Sequence, residues 1–470
     1  MSASGASRLP RASLKSFLAT ARKTLSSAPP QRPSPLTFVV GNESADLDSL
    51  CSALLLAYLR THAPPHHALH IPLSNLPRAD LALRPELAAV LAPAGLTAED
   101  LITVSDLPPP GELEGEEQKE AARGAGQGGG QTRWLLVDHN APTGEIAKRF
   151  FGPEKGVVVG CIDHRDDEGF VPQESEVRVI ERCGSCASLV VEECKTVWEG
   201  LIKDRGGAGG AVCEDGTSTA ECDAHLARLA LAPILVDTAA LEAKDKTTER
   251  DVRAVEWVEK TLRDAEAAVM GRTSPAAAAA AENETKSYDR GTFYATLTRL
   301  KSSLRGLSYR DVLRKDYKRW SEGGGGSDDA AKSGSIAVGI SSIPRSLRDT
   351  IREAGDGSQS SFLSALQGWA DEQRLDVAAV MTVFPAEGGG GIARELVVWG
   401  LNSRGAGVLG EFVRRFQGPL GLEKWEEGEL DEGGEGEQTW RVCWRQGETR
   451  CSRKQVAPML REAMRVVARL

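Results

Sequence analysis

Short apolar runs alternate with longer amphipathic stretches along the first half of the chain. TFVVG precedes SLCSALLLAYLRTH, ALHIPLS comes after it, and WLLVDHN precedes GEIAKRFF. GVVVGCIDH, SLVVEECKTVWEGL and PILVDT come next, before a long charged helix from about Lys244 to Val269. The short runs are continuously apolar, the pattern of strands covered on both faces, so a parallel sheet in an α/β layer fold is expected. PILVDT reads as the last strand of that set.

The second half carries strand patterns at SIAVGISSI, DVAAVMTVF and ELVVWG, and helical patterns around SFLSALQGWADEQR, VLGEFVRRF and VAPMLREAMRVVARL. These predict a smaller mixed α/β domain. Low-complexity stretches interrupt both halves, among them an Ala-rich segment from Pro275 to Glu284 and the acidic EEGELDEGGEGEQ. Segments of this composition are expected to be solvated inserts without a core of their own. Together these patterns predict a first domain with an N-terminal helix at 1–270, a linker at 271–289 and a second domain at 290–470.

Composition changes this picture little. A chain of 470 residues exceeds what one core usually supports, and its 49 glycines suit inserts that add length without burial. A net charge of −10 argues against general adhesion to nucleic acid or to an anionic membrane. Its apolar runs are all too short to span a bilayer. The nine cysteines are scattered singly apart from Cys183 and Cys186, which points to reduced thiols in the cytoplasm. Arg8, Arg11, Lys15, Arg22, Lys23 and Arg32 precede any acid, so a mitochondrial transit peptide is the alternative location. The spacing of Leu14, Phe17, Leu18 and Leu25 favours instead a helix packed on the first domain.

The chemistry gathers at four acid-bearing strand ends: GNESADLDS, WLLVDHN with Asp138, GCIDHR with Asp163, His164 and Arg165, and PILVDT with Asp237. Parallel strands bring their carboxyl ends to one edge, where carboxylates distant in sequence converge. A single acid after a strand is commonly a helix cap. Four of them in one α/β half call for divalent cations to neutralise the charge, and mixed carboxylate and imidazole donors suit manganese or magnesium. Two metals clamping a phosphoryl group make phosphoester or phosphoanhydride hydrolysis the natural reaction.

With GNESADLDS, LVDHN, IDHR, GSC within CGSCASLV, and LVDT in the first half, and LRKDYK and SRKQV in the second, the chain resembles the DHH phosphoesterase superfamily. Within it the fungal exopolyphosphatases are most similar, with prune proteins and family II inorganic pyrophosphatases as relatives. The resemblance implies a parallel-sheet catalytic domain, a smaller second domain and an active site in the cleft between them. It implies two divalent cations, manganese or magnesium with cobalt also possible. Asp46 would serve one metal, Asp48 the other and Asp138 both, with His164 and Asp237 completing the second site. Asp163 would orient the His164 imidazole from behind.

Two departures matter. Asn42 stands where the pyrophosphatases have a histidine, offering substrate and metal a neutral amide; Ser49 is read as the start of the helix beyond it. Arg165 replaces the second histidine of the name motif, as in prune proteins, and a guanidinium grips phosphate oxygens rather than a cation. Ser185 would lie at a helix N-terminus facing phosphate. Lys318, Arg453 and Lys454 stand out within stretches where bases outnumber neighbouring acids, and by resemblance they hold successive phosphates.

The reading is a cytoplasmic, monomeric exopolyphosphatase whose activated water attacks the terminal phosphorus of inorganic polyphosphate. A prune-like activity on short polyphosphate, pyrophosphate or nucleotides is the second reading. A catalytically weak scaffold is the third.

Overall fold

The computed structural model describes residues 11–64, 67–109, 112–113, 132–151, 155–203, 212–271, 288–323, 335–386 and 391–469. The chain divides into two compact units, 1–301 and 302–470. The division falls after Lys301 rather than at 290. Leu297 is buried in the first unit's core and Arg290 pairs with Glu259 of the preceding helix, so the segment after the linker belongs to the first unit. The linker expected at 271–289 lies almost wholly outside the described residues.

The first unit is built on a five-stranded, all-parallel sheet of β1 (Thr37–Val40), β2 (His70–Leu73), β3 (Arg133–Val137), β4 (Val157–Asp163) and β5 (Val177–Ile180). Their order is β2-β1-β3-β4-β5. The order reverses between β1 and β3, and in such sheets a crevice opens outside the carboxyl ends of the strands at that switch. Val40 of β1 lies opposite Leu136 of β3, so the chain leaves both strands side by side, at Gly41 and Asp138.

Helices cover the sheet: α1 (Leu14–Ser26), α2 (Leu47–Thr61), α3 (Gly144–Phe150), α4 (Cys186–Lys203), α5 (Thr219–Asp237), α6 (Glu249–Met270) and α7 (Arg290–Lys301). In α1, Leu14, Phe17, Leu18, Ala21 and Leu25 are all buried, and Phe17 meets Tyr58 edge-on at 5.4 Å. Arg11, just before it, forks onto buried Asp223 of α5. The amphipathic N-terminal segment is thus part of the first unit's core. Phe17→Ala should lower the unfolding free energy by about 3–5 kcal/mol, read by chemical denaturation, because a buried aromatic leaves a cavity the surroundings fill only partly.

PILVDT is not a strand. It closes α5, which starts at a capping box of Ser218 and Glu221 and runs unbroken through Pro233 to Asp237. Fourteen of its residues are buried, and a helix covered all round shows the same continuous apolar run as a covered strand.

The second unit is a mixed sheet. It contains β6 (Tyr317–Glu322), β7 (Ile336–Ile343), β8 (Val377–Thr382), β9 (Glu395–Gly400), β10 (Leu422–Lys424) and β11 (Trp440–Gln446), ordered β10-β11-β9-β8-β7-β6. Among the described residues of this sheet only β7 and β8 pair in parallel. Helices α8 (Tyr309–Lys315), α9 (Leu347–Glu353), α10 (Gln359–Glu372), α11 (Ser403–Leu420) and α12 (Arg453–Val467) complete it. The acidic stretch read as a solvated insert is in part ordered: Leu430 is buried and Glu432–Gly433 pairs with β11. Among the described residues no helix is long and apolar enough to cross a membrane.

Candidate metal centre

The loop after β1 turns into α2 two residues before Ser49. Asp46 is the cap, its Oδ1 accepting the Ser49 N–H at 3.0 Å. Gly41 permits the tight approach, since a Cβ there would stand 2.8 Å from the Ser49 carbonyl oxygen.

Asp48, in the first turn of α2, reaches across to a second helix start. It accepts the N–H groups of Cys186 (2.7 Å) and Ala187 (3.0 Å) and the Ser185 hydroxyl (2.9 Å), at the beginning of α4. The partial positive charge of two helix N-termini therefore meets on one carboxylate. Ser185 lies fully buried behind Asp48, so its place at the α4 N-terminus faces the carboxylate and not open space.

Asp138 comes directly after β3 with φ +59°, a left-handed conformation that Asp and Asn tolerate better than most residues. Its Oδ2 takes hydrogen bonds from Asn42 Nδ2 and from the Ser49 hydroxyl. Oδ1 faces His164 Nε2 at 3.1 Å and Arg165 Nη2 at 3.2 Å. Asn42 is thus engaged with Asp138 through its amide nitrogen, while its oxygen accepts from Ser44.

The His164 ring is held differently from the sequence expectation. Its Nδ1 lies 3.0 Å from the Cys183 carbonyl oxygen, which can only accept, so Nδ1 carries a proton and Nε2 points into the site. Asp163, the expected orienting acid, is fully buried and bonds instead to the backbone N–H groups of His164 (2.8 Å) and Arg165 (3.3 Å) and to Asn140 Nδ2 (2.6 Å). Both of its carboxylate oxygens are taken by these donors and face away from the ring's Nδ1, which the Cys183 carbonyl holds. Asp163 fixes the path of the loop, and a carbonyl from another loop fixes the ring.

Asp237 ends α5 where the helix dipole is unfavourable to an acid. Three left-handed residues lie just beyond it, Ala239, Ala240 and Leu241, held by Thr238, whose hydroxyl accepts the Leu241 N–H and whose carbonyl accepts the Ala243 N–H.

Asp46, Asp48, Asp138, His164, Arg165 and Asp237 line one cavity of about 690 Å³, joined by Arg182, Asp245, Lys246 and Thr248. Asp48, Asp138 and His164 each present a ligand atom within 4.8 Å of the others. Burial, then the charges of Asp138 and Asp237, push the Asp48 carboxyl well above the ordinary carboxylate range. Burial and Asp46 raise Asp237 to about 7, with Lys301 of α7 drawing it back. Burial opposes charge on His164, yet contacts with Asp138 and Cys183 and the charge of Asp48 raise it to about 11. Such a cluster of acids sharing protons is relieved by divalent cations, and carboxylates with one imidazole are a fitting donor set for them.

In the second unit Lys318 lies on β6 and Lys454 in the first turn of α12, both exposed. Arg453 forks onto Asp316, at 2.7 Å to its carboxylate and 2.9 Å to its carbonyl. Other bases of these base-rich stretches find acids across the fold: Arg461 and Arg465 meet Glu322, and Arg310 meets Glu372.

Comparison with known proteins finds matches to both halves of the chain. The family model for the DHH family, N-terminal domain, matches 37–234, and that for the DHHA2 domain matches 295–463. A Schizosaccharomyces pombe protein named "Putative exopolyphosphatase" is 30% identical over 449 residues, 95% of this chain and 94% of that protein. The human protein named "Exopolyphosphatase PRUNE1" is 25% identical over 357 residues, 75% of this chain and 61% of its own length. The Bos taurus protein of that name is 24% identical over 440 residues, covering 92% and 77% respectively.

Proposed function

This chain belongs to the DHH family, with the family's N-terminal domain followed by a DHHA2 domain, and from that membership we propose that it is a metal-dependent exopolyphosphatase. The observation that carries the reading is the meeting of Asp48, Asp138 and His164 at the carboxyl edge of the sheet, where β1 and β3 part. We assign Asp46, Asp48, Asp138, His164 and Asp237 to two divalent cations, manganese or magnesium, with cobalt a further candidate. When bound, the cations would acidify water and draw charge from the phosphoryl oxygens.

The protein's own groups do the rest. The Cys183 carbonyl holds a proton on His164 Nδ1, so the proton that a bound cation would displace is the one on Nε2, which faces Asp138. Asn42 and Ser49 hold one Asp138 oxygen and leave the other toward His164 and Arg165. Arg165 is half exposed beside Asp138 and can turn its outer guanidinium edge to a terminal phosphate. Lys318 and Lys454, with Arg453 if it releases Asp316, are assigned to phosphates further along the polyanion. A cytoplasmic site of action accords with the scattered spacing of the nine cysteines along the sequence.

Purified protein should release phosphate from long-chain polyphosphate with manganese, magnesium or cobalt and not with chelator. Arg165, in place of the name motif's second histidine, favours a second reading, activity on short polyphosphate, pyrophosphate or nucleotides. A series from pyrophosphate to long polymer separates them: a rate that falls as chains lengthen favours the second. Absence of metal-dependent release from any member rejects both and leaves a scaffold.

A further inference from the structure

We propose that Asp251 is a positioning residue for the metal cluster, acting through the turn at 183–187; this rests on the metal-centre reading above. Asp251 lies in the first turn of α6 and is fully buried. Its Oδ2 accepts the Gly184 N–H (2.9 Å) and both the N–H and hydroxyl of Thr248 (2.8 Å each). Its Oδ1 accepts the Ser185 N–H (3.3 Å) and the Ser188 hydroxyl (2.6 Å). Thr248 is the ordinary partner of a helix cap, but the three bonds to residues 184–188 are not part of capping α6.

That turn is where two of the three clustered ligands are set. Cys183 supplies the carbonyl that fixes the His164 ring, and Ser185, Cys186 and Ala187 supply the donors that hold Asp48. The turn is clamped from behind as well as held from the front. A Cβ on Gly184 would lie 2.9 Å from Asp251 Oδ2 and 2.6 Å from the Thr238 methyl, so the backbone rests directly against both. Asp251 therefore governs ligands it does not touch. An amide in its place accepts at one atom only and turns a donor toward N–H groups that are themselves donors. The turn must then move, and Asp48 and His164 move with it.

The test is manganese binding by the free-ion EPR signal, alongside thermal melts. Asp251→Asn should weaken manganese binding by about 10–100-fold, the usual loss when a partner behind a ligand is removed. Ser188→Ala, which deletes one of the three bonds, should weaken it by about two- to tenfold. Glu221→Gln removes the equivalent acid from the capping box of α5 and should lower the melting temperature without changing manganese affinity. Unchanged affinity in Asp251→Asn, or in Ser188→Ala if the first variant does not fold, overturns the proposal alone, as does an equal loss in Glu221→Gln. A wild-type protein that takes up no manganese overturns it together with the metal-centre reading.

Discussion

Asp138→Asn is expected to cut metal-dependent phosphate release by more than about a hundredfold, since even partners standing behind a ligand cost ~10–100-fold. The fold should survive. Asparagine has the same shape and accepts the φ of +59° as readily as aspartate does. The neighbouring candidates make poorer tests: Asp46 caps α2, and Asp48 satisfies two backbone donors of α4, so their loss confounds helix stability with metal binding. Asp138 bears only side-chain partners on its carboxylate, from Asn42, Ser49, His164 and Arg165. Removing its charge eases the repulsion that lifts the Asp48 carboxyl and takes away part of the attraction that raises His164, so the two changes partly offset. The metal-free variant should therefore unfold at a temperature no lower than metal-free wild type by more than a few degrees. Release within tenfold of wild type at saturating manganese, from protein shown to be folded, would remove Asp138 from the centre.

The acids of the site are legible because β1, β3 and β4 announce themselves as covered strands, and parallel strands bring the residues beyond their carboxyl ends to one edge. Asp46, Asp48, Asp138 and His164 need no more than that to be gathered in one place. Asp237 lines the same cavity for a different local reason, since it ends a helix whose all-round burial gives it a strand's apolar run. The groups that orient the site are illegible. The Cys183 carbonyl is backbone and has no sequence signature. Asp251 stands three residues after Thr248 in a capping box that looks like those of Ser218 with Glu221 or Ser308 with Asp311, and only the fold places the 184–188 turn against it. Lys246 and Arg182 enter the cavity on loops whose path depends on tertiary packing. The second unit's arginines mislead in the opposite sense: a local excess of base says nothing of Glu322 or Glu372, which neutralise it from other elements.

Stripping the metals should invert the pH dependence of stability in the first unit. Asp237 sits at about 7 in the folded, metal-free protein against an ordinary 3.8, because burial and Asp46 oppose its charge. The folded state then binds that proton more tightly than the unfolded chain does, so stability falls as pH rises from about 4 to about 7. His164 at about 11, against an ordinary 6.5, adds stabilisation that is complete below 6.5 and is lost as pH climbs toward 11. Both groups act in the same direction between pH 5 and 8. At ~1.4 kcal/mol for each pH unit a group crosses, and allowing for solvent screening, they sum to about 2–4 kcal/mol. Chelated protein should melt on the order of 5 °C lower at pH 8 than at pH 5. With manganese present the trend should weaken or reverse, since bound cations require the same groups deprotonated and stabilise the folded state more as pH rises. Asp237→Asn should flatten the chelated profile between pH 5 and 7 and leave the His164 portion above it. A chelated wild type whose melting temperature is level or rising across that range would mean that these carboxyls do not crowd one another as the geometry requires.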